Sequence, residues 1–153
     1  MDRLLSVVVS VYNEEKALEE FYRETTKVLE QISWDYELLF VNDGSRDGSQ
    51  DILDRLAASD SRVRVISFSR NFGHEAAMIA GLDYSRGDGI ICMDADLQHP
   101  PECIPDILAK FEEGYQVINM VRTKNRTAGL VKNITSSGFY WLINRISDVH
   151  FEA

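Results

Sequence analysis

Short apolar runs alternate along this chain with longer segments whose apolar positions recur at helical spacing. Leu4–Val11, Tyr36–Val41 and Gly89–Met93 are nearly continuous apolar stretches, and such stretches predict buried strands. Arg62–Phe68 alternates partly between polar and apolar residues, and Tyr115–Val121 has a similar composition. The pattern therefore predicts five strands.

The segments between these strands predict helices with recognisable ends. A first helix is expected from an Asn13 cap, with Glu14 and Glu15 in its first turn, to about Gln31. Further helices are expected at Gln50–Ala58, after an Asp47/Gln50 spacing typical of a capping box, at His74–Tyr84, from Pro100–Pro101 to about Glu113, and weakly at 127–146. This alternation predicts an α/β fold: a mostly parallel sheet with helices on both faces.

Polar residues follow three of the predicted strands at the points where the strands end. These clusters are Tyr12–Glu14, Asn42–Ser45 and Asp94–Asp96. Open parallel sheets bind ligands at the carboxyl ends of their strands. The position of the clusters is thus the strongest purely physical indication of a site.

Asp94 and Asp96 form the most informative of these clusters. Two carboxylates so close together repel each other and are costly to desolvate unless a cation lies between them. Hard oxygen ligands favour Mg²⁺ or Mn²⁺ over zinc. Two carboxylates do not complete a magnesium shell, which commonly adds water and substrate phosphates. The pair therefore predicts a metal together with a bound diphosphate.

Other candidate residues have two interpretations each. Asp43 is either a turn residue that bonds its own backbone or an acceptor for a nucleobase or ribose. Glu14 in isolation reads as a first-turn acid, Ser45 and Asp47 as caps, and His74 as a structural residue at a helix start. The chain contains no serine-hydrolase or P-loop motif, and neither cysteine has a convincing histidine partner.

Composition and charge narrow the classes of protein further. A length of 153 residues predicts one domain, and no apolar run reaches the roughly 18 residues of a membrane span. The two cysteines, with Cys92 expected in the core, indicate a reducing, cytoplasmic compartment. A net charge of −9 argues against nucleic-acid binding.

The charge is unevenly distributed along the chain. Residues 115–147 contain five basic and no acidic side chains, which leaves −14 on the remainder. A basic C-terminal third predicts contact with phosphate groups or an anionic membrane surface, although chance clustering on a solvated face would look the same.

Several motifs together resemble family 2 glycosyltransferases of GT-A fold, and among them the polyprenyl-phosphate group. The resemblance rests on SVVVSVYNEE, LLFVNDGSRDGS, FSRNFGHEAAMIAGLDYSRGDGIICMDADLQHPPE and VRTKNR, in order along nearly the whole chain. DADLQHPPE is the most specific of these motifs. Ser10 departs from the proline found at this point in many relatives.

The resemblance implies a donor site built from particular residues. Those implied to bind the nucleotide-sugar donor are Ser10, Tyr12, Glu14, Val41, Asp43, Asp94, Ala95, Asp96 and Gln98. Asp94, Asp96 and Gln98 are implied to surround the metal, Mg²⁺ or Mn²⁺. Arg122 is implied to meet phosphate and, with Asp94 and Asp96, to form the catalytic set.

The implied reaction is inverting transfer of a sugar from a UDP- or GDP-sugar to a polyprenyl phosphate at the cytoplasmic face of a membrane. The resemblance also implies that residues 1–153 are one catalytic domain that stops before an acceptor-side segment and any membrane helices. Three alternatives remain open: a saccharide acceptor, a non-catalytic donor-binding fragment, and a metal-dependent nucleotidyltransferase. The last would be expected to have a basic, glycine-rich triphosphate loop where this chain has VYNEE.

Overall fold

The computed structural model describes residues 3–96, 98 and 100–120, and its strands form one parallel sheet between helices. The elements follow in the order β1 (Leu4–Val11), α1 (Leu18–Leu29), β2 (Asp35–Asn42), α2 (Ser49–Ser59), β3 (Val63–Ser67), α3 (His74–Tyr84), β4 (Gly89–Asp94), a 3₁₀ turn (Pro101–Cys103) and α4 (Ile104–Glu112). The strand order is β3-β2-β1-β4, with β1 paired to β2 and β4. The α/β prediction is confirmed.

Helices cover the two faces of the sheet with different parts of the core. On one face, alternate residues of β1 and β2 such as Val9 and Phe40 pack with α1, α2 and α4. On the other face Val8, Leu39 and Val41 pack against Ala77 of α3. This alternation follows from the opposite directions of successive side chains in a strand.

Gly81 explains how closely α3 approaches the sheet. A Cβ atom at this position would lie 2.1 Å from Cγ1 of Val8. Glycine ordinarily weakens a helix interior, by about 1 kcal/mol relative to alanine. Here its missing side chain allows α3 to lie directly on β1.

The structure corrects the predicted start of the first helix. The helix begins at Leu18, several residues after Asn13, and Asn13 has a positive φ of 57° instead of a cap geometry. Its carboxamide Oδ1 accepts a hydrogen bond from the backbone N–H of Arg46, at 2.8 Å. A hydrogen bond between two loops therefore determines this turn, and such a bond leaves no trace in the helical pattern of the sequence.

Two further expectations for the core and sheet were wrong. Cys92 is exposed, because β4 is the outermost strand among the described residues, its buried residues alternate with exposed ones, and α3 packs on β1 and β2. Residues 115–120 form no strand in the described part of the chain, and Val117 is exposed. Apolar composition alone does not make a strand without a hydrogen-bonded neighbour.

The remaining predictions concern the C-terminal part. Val121 and the weak helix at 127–146 lie outside the described residues. The chain divides into two compact units, Met1–Ile118 and Asn119–Ala153, and all the strands and helices above lie in the first. The expectation of a single domain stays a prediction. In the part that the structure describes, no helix is both long and apolar enough to traverse a bilayer.

Candidate functional site

A cavity of about 300 Å³ lies at the carboxyl ends of β1, β2 and β4. Its lining residues come from four separate segments of the chain: Ser10, Tyr12, Glu14, Asp43, Asn71, His74, Asp94, Ala95 and Asp96. Most of the residues expected in a donor site therefore lie around one space. This is the edge at which parallel sheets bind ligands.

The register of the sheet places three of the predicted residues in one row. Ser10 of β1 is paired with Val41 of β2 on one side and with Asp94 of β4 on the other. Residues paired in this way direct their side chains to the same face. Val41 is fully buried in the core with α3 and does not line the cavity, whereas Ser10 and Asp94 do.

The loop after β1 is held by the loop after β2. Backbone N–H groups of Asn13 and Glu14 donate to Oγ of Ser45 and Ser49, at 3.0 and 2.9 Å. The N–H of Glu15 donates to Asp47 Oδ2 at 3.1 Å. These bonds position Tyr12 and Glu14 at the cavity.

The second loop also has its own corrections. Asp47 Oδ1 accepts from the N–H of Ser49, at 3.0 Å, but Gln50 does not complete a capping box. Its Oε1 accepts instead from Asn42 and Ser67, both at 2.7 Å. Gln50 thus links β2, α2 and the end of β3. Ser45 Oγ bonds the loop after β1 and is not the predicted helix cap, whereas Asp47 bonds the first residue of α2, whose N-cap is Gly48.

Asp43 is buried and fixes the loop that precedes α3. Its two carboxylate oxygens accept hydrogen bonds from the backbone N–H groups of Phe72, at 2.7 Å, and Gly73, at 3.0 Å. Gly44 allows the loops to meet, since a Cβ there would lie 2.3 Å from the carbonyl carbon of Arg70. Asp43 therefore shapes the cavity wall and still lines the cavity itself.

The two acids after β4 both line the cavity. Asp94 ends the strand, and Asp96 follows Ala95 in the adjoining turn. Oδ1 of Asp96 accepts a hydrogen bond from the backbone N–H of Gln98, at 2.9 Å. Gln98 is exposed and does not line the cavity, so the structure relates it to Asp96 through its backbone.

The described lining residues of the cavity carry a surplus of negative charge. Its described lining contains the acids Glu14, Asp43, Asp94 and Asp96, and no lysine or arginine. Burial raises the pKa of the Glu14 carboxyl above its ordinary value, and the charges of Asp96, Asp47 and Asp94 raise it further. A diphosphate would be repelled from this surface unless a cation accompanied it.

The residues present fit an open site for a divalent cation. Asp94 and Asp96 line the cavity with hard oxygen atoms of the kind that Mg²⁺ and Mn²⁺ prefer as ligands. In residues 3–96, 98 and 100–120, no three His, Cys, Asp or Glu side chains converge as metal ligands. A cation held here would therefore take its remaining ligands from water or from a bound phosphate.

Two lining residues were not predicted as site residues. Asn71 lies in the loop that Asp43 holds, and His74 is the first residue of α3. Their local sequence is like that of ordinary loop and helix-start residues. The start of α3 meets Asp94 only through the pairing of β1 with β4, which local sequence does not reveal. Arg122, with its implied phosphate contact, lies outside the described residues.

Solved structures of glycosyltransferases share this fold. A mannosyltransferase from Pyrobaculum calidifontis, in complex with GDP-Man and Mn²⁺, matches 63% of this chain and 28% of its own, with a TM-score of 0.55 and 23% identity. TarS 1-349 of S. aureus in complex with UDP-GlcNAc matches 84% of this chain and 37% of its own, with a TM-score of 0.59 and 20% identity. The architecture is thus the GT-A fold of glycosyltransferases.

The chain belongs to glycosyl transferase family 2, whose model matches residues 6–148. It is 47% identical to the "Uncharacterized glycosyltransferase YkcC" of Bacillus subtilis (strain 168), over 94% of this chain and 45% of that protein. It is 43% identical to the "Prophage bactoprenol glucosyl transferase homolog" of Escherichia coli (strain K12), over 97% and 48%. The chain spans a little under half the length of these relatives.

Proposed function

We propose that this chain forms the donor-binding half of a glycosyltransferase that moves a sugar from a nucleotide-sugar to a polyprenyl phosphate. The observation that supports this most directly is the acidic cavity at the carboxyl edge of the sheet, where Asp94 and Asp96 lie together. The family membership and the bactoprenol glucosyl transferase homolog support the same reaction class.

The proposed donor site divides its work between two groups of residues. Tyr12, Glu14 and Asp43 bind the nucleoside, at the wall formed by the first two loops. Asp94 and Asp96 hold a divalent cation against the diphosphate. When bound, that cation supplies Lewis-acid stabilisation of the negative charge that develops on the leaving diphosphate.

The proposed acceptor explains why the cavity needs no strong general base. The phosphate monoester of a polyprenyl phosphate has a second pKa of about 6 and is largely ionised at neutral pH. Its oxygen can attack the anomeric carbon from the side opposite the diphosphate, which inverts that carbon. Proton removal, which a sugar hydroxyl would require, is unnecessary here.

The basic segment at residues 115–147 suits the same acceptor. Its five cationic side chains, Arg122 among them, would attract both the acceptor phosphate and an anionic leaflet. Each such charge contributes about 1 kcal/mol near an anionic membrane surface. We therefore place the working protein at the cytoplasmic face of a membrane.

Calorimetric titration of the chain with nucleotide-sugars tests the donor proposal. UDP-glucose, UDP-N-acetylglucosamine and GDP-mannose should be compared with Mn²⁺, with Mg²⁺ and with EDTA. We expect one donor class to bind only when a divalent cation is present. Equal binding in EDTA would contradict the proposed metal site, and no binding of any donor would contradict the proposed function.

The acceptor is tested separately, with the longer protein of which this chain would form the donor half. Transfer of labelled sugar to undecaprenyl phosphate in vesicles should be measured beside transfer to a soluble oligosaccharide. Product on the lipid alone supports the proposal. Product on the oligosaccharide alone would favour a saccharide-acceptor enzyme, and donor binding without any transfer would favour a binding function.

A further inference from the structure

His74 contacts two other residues of the cavity through one ring atom. Its Nδ1 lies 3.1 Å from Oγ of Ser10 and 3.5 Å from Oδ1 of Asp94. All three side chains line the cavity. Neither His74 nor Ser10 has a chemical task in the donor site as proposed above.

The surrounding structure holds the three side chains together from both directions. Ser10 and Asp94 are register partners in adjacent strands, so they lie side by side on the face that α3 covers. Gly73, with a φ of 102°, precedes His74, and the buried Asp43 accepts its backbone N–H. The start of α3 is therefore fixed above Ser10 and Asp94.

The position of the carboxylate indicates which ring nitrogen of His74 carries the proton. A carboxylate oxygen 3.5 Å away attracts an N–H group and repels a nitrogen lone pair. The two contacts therefore favour a proton on Nδ1. The N–H then lies between two oxygen acceptors, with the shorter contact to Ser10 and the longer one to Asp94.

The same geometry excludes a Ser-His-Asp nucleophile. In such a triad the serine and the aspartate meet opposite nitrogens of the ring, so that a proton can pass between them. Here both oxygens meet Nδ1. The arrangement can orient a carboxylate but cannot relay a proton from Ser10 to Asp94.

We infer that His74, held by Ser10, is a positioning residue that orients the Asp94 carboxylate toward the cation and diphosphate of the donor. This inference rests on the proposed function. Groups that orient a metal-ligating side chain typically change metal affinity by about 10- to 100-fold when they are removed. The Ser10 hydroxyl is then a specific element of the site.

Three variants separate orientation from simple space filling. His74→Phe keeps a planar ring but removes Nδ1, His74→Asn keeps a polar nitrogen near the Nδ1 position, and Ser10→Ala removes the hydroxyl. The side chain of His74 is 55% exposed, so these changes leave the core intact. Circular dichroism and thermal unfolding verify that each variant folds.

The measured quantities are the affinity for Mn²⁺ alone, by its electron paramagnetic resonance, and for UDP and GDP in the presence of Mn²⁺. We expect His74→Phe to weaken both by about tenfold and His74→Asn to stay within about threefold of the unaltered chain. Ser10→Ala should weaken binding less than His74→Phe. The double variant Ser10→Ala/His74→Phe should bind like His74→Phe alone, because Ser10 acts through His74.

The metal-free protein provides an independent readout. Long-range ¹H–¹⁵N correlation spectra distinguish the two neutral tautomers, and the His74 signal is identified by its loss in His74→Asn. We expect a protonated Nδ1. A protonated Nε2 would overturn the assignment of the donor atom.

The outcomes also separate this inference from the proposed function. If the unaltered chain binds Mn²⁺ and nucleotide but His74→Phe binds equally well, the positioning role is wrong and the donor site stands. Additive losses in the double variant would equally overturn the coupling of Ser10 to His74. If the unaltered chain shows no Mn²⁺-dependent nucleotide binding, both proposals fail.

Discussion

Two acidic residues on the sheet and its loops, Glu37 and Glu14, differ in how their charge is balanced. Glu37 of β2 is buried at the end of the sheet opposite the cavity, and burial acts to raise its pKa. Hydrogen bonds from Ser6, Arg64 and the Arg86 backbone outweigh burial, so the pKa of the Glu37 carboxyl is lowered. Glu14 at the cavity has its pKa raised by burial and by neighbouring acids.

The two regions, the buried network around Glu37 and the cavity that Glu14 lines, therefore use charge for different purposes. The Glu37 carboxylate accepts from Ser6 Oγ at 2.6 Å and from Arg64 Nη1 at 2.9 Å, which ties three strands together. In the cavity, by contrast, the described lining residues include acids but no lysine or arginine, so negative charge is in surplus there. Acids clustered at a cavity, with a pKa raised at Glu14, make the cavity a candidate ligand site.

The largest expected effect is on the cavity. Asp96→Asn removes a charge from the proposed cation site, and we expect nucleotide affinity in Mn²⁺ to fall at least about 100-fold, or roughly 3 kcal/mol. Calorimetry with the preferred donor measures this. Asp83→Asn, which changes an exposed acid of α3, is the matched control and should bind normally. Unchanged affinity in Asp96→Asn would remove the distinction between the two regions.

The next effect concerns the balanced region. Glu37→Gln removes a charged hydrogen-bond acceptor from a buried network, and we expect the free energy of unfolding to fall by about 2 kcal/mol. Urea denaturation measures it. Glu113→Gln, which alters an exposed ion pair with Lys110, should cost under about 0.5 kcal/mol. Donor affinity should remain unchanged in both variants, and a loss in Glu37→Gln would show that the regions are not separate.

The pH dependence of Glu37 follows from the sign of its pKa shift. The folded-state pKa lies below the ordinary value of 4.5, so the contribution to stability is fully present above pH 4.5. It is lost as the pH falls through the folded-state pKa. The stability difference between the unaltered chain and Glu37→Gln should therefore shrink as the solution is acidified below pH 4.5.

A smaller effect is expected at Gly81, where α3 packs against β1 between these two regions. Gly81→Ala places a Cβ atom against Val8 and pushes α3 away from β1. Overpacking costs about 1–3 kcal/mol, and better helix propensity returns up to about 1 kcal/mol. We expect a net loss of about 1 kcal/mol in thermal and urea unfolding. A stability gain would mean that α3 does not need this close approach.

The smallest effect has the opposite sign. Glu14→Gln removes a charge that burial disfavours and that neighbouring acids repel, so we expect the metal-free protein to gain under about 1 kcal/mol at pH 7. The raised folded-state pKa means that the penalty exists above that pKa and vanishes below the ordinary value of 4.5. The unaltered chain and the variant should therefore converge in acid. A loss of stability at pH 7 would contradict the charge surplus.

The sequence was sufficient for features that depend on local pattern. Apolar runs identified β1 to β4, and the polar residues at their ends predicted that Asp43, Asp94 and Asp96 lie around one cavity, because parallel strands bring such ends together. Features that depend on contacts between distant segments were missed. The turn at Asn13 depends on Arg46 in another loop, and the contact of His74 with Asp94 depends on the register of β1 with β4.

The exposure of Cys92 shows a further limit of pattern reasoning. A strand rich in Ile, Cys and Met is expected to be buried on both faces, but β4 is the outermost strand of the described sheet and has one face open. Edge or centre is a property of strand order, which periodicity does not contain. Val41 shows the opposite case, a residue expected at the site that is buried. It lies in the same row as Ser10 and Asp94, but beneath α3.

The central place of β1 has a consequence for how the chain matures during synthesis. β1 is synthesised first and pairs with both β2 and β4. Ser10 can therefore pair with Asp94 only after more than eighty intervening residues have emerged from the ribosome. Contacts this far apart form late, because a long loop must close first. A nascent chain that ends before the β4 segment therefore lacks the side of the cavity that Asp94, Ala95 and Asp96 form.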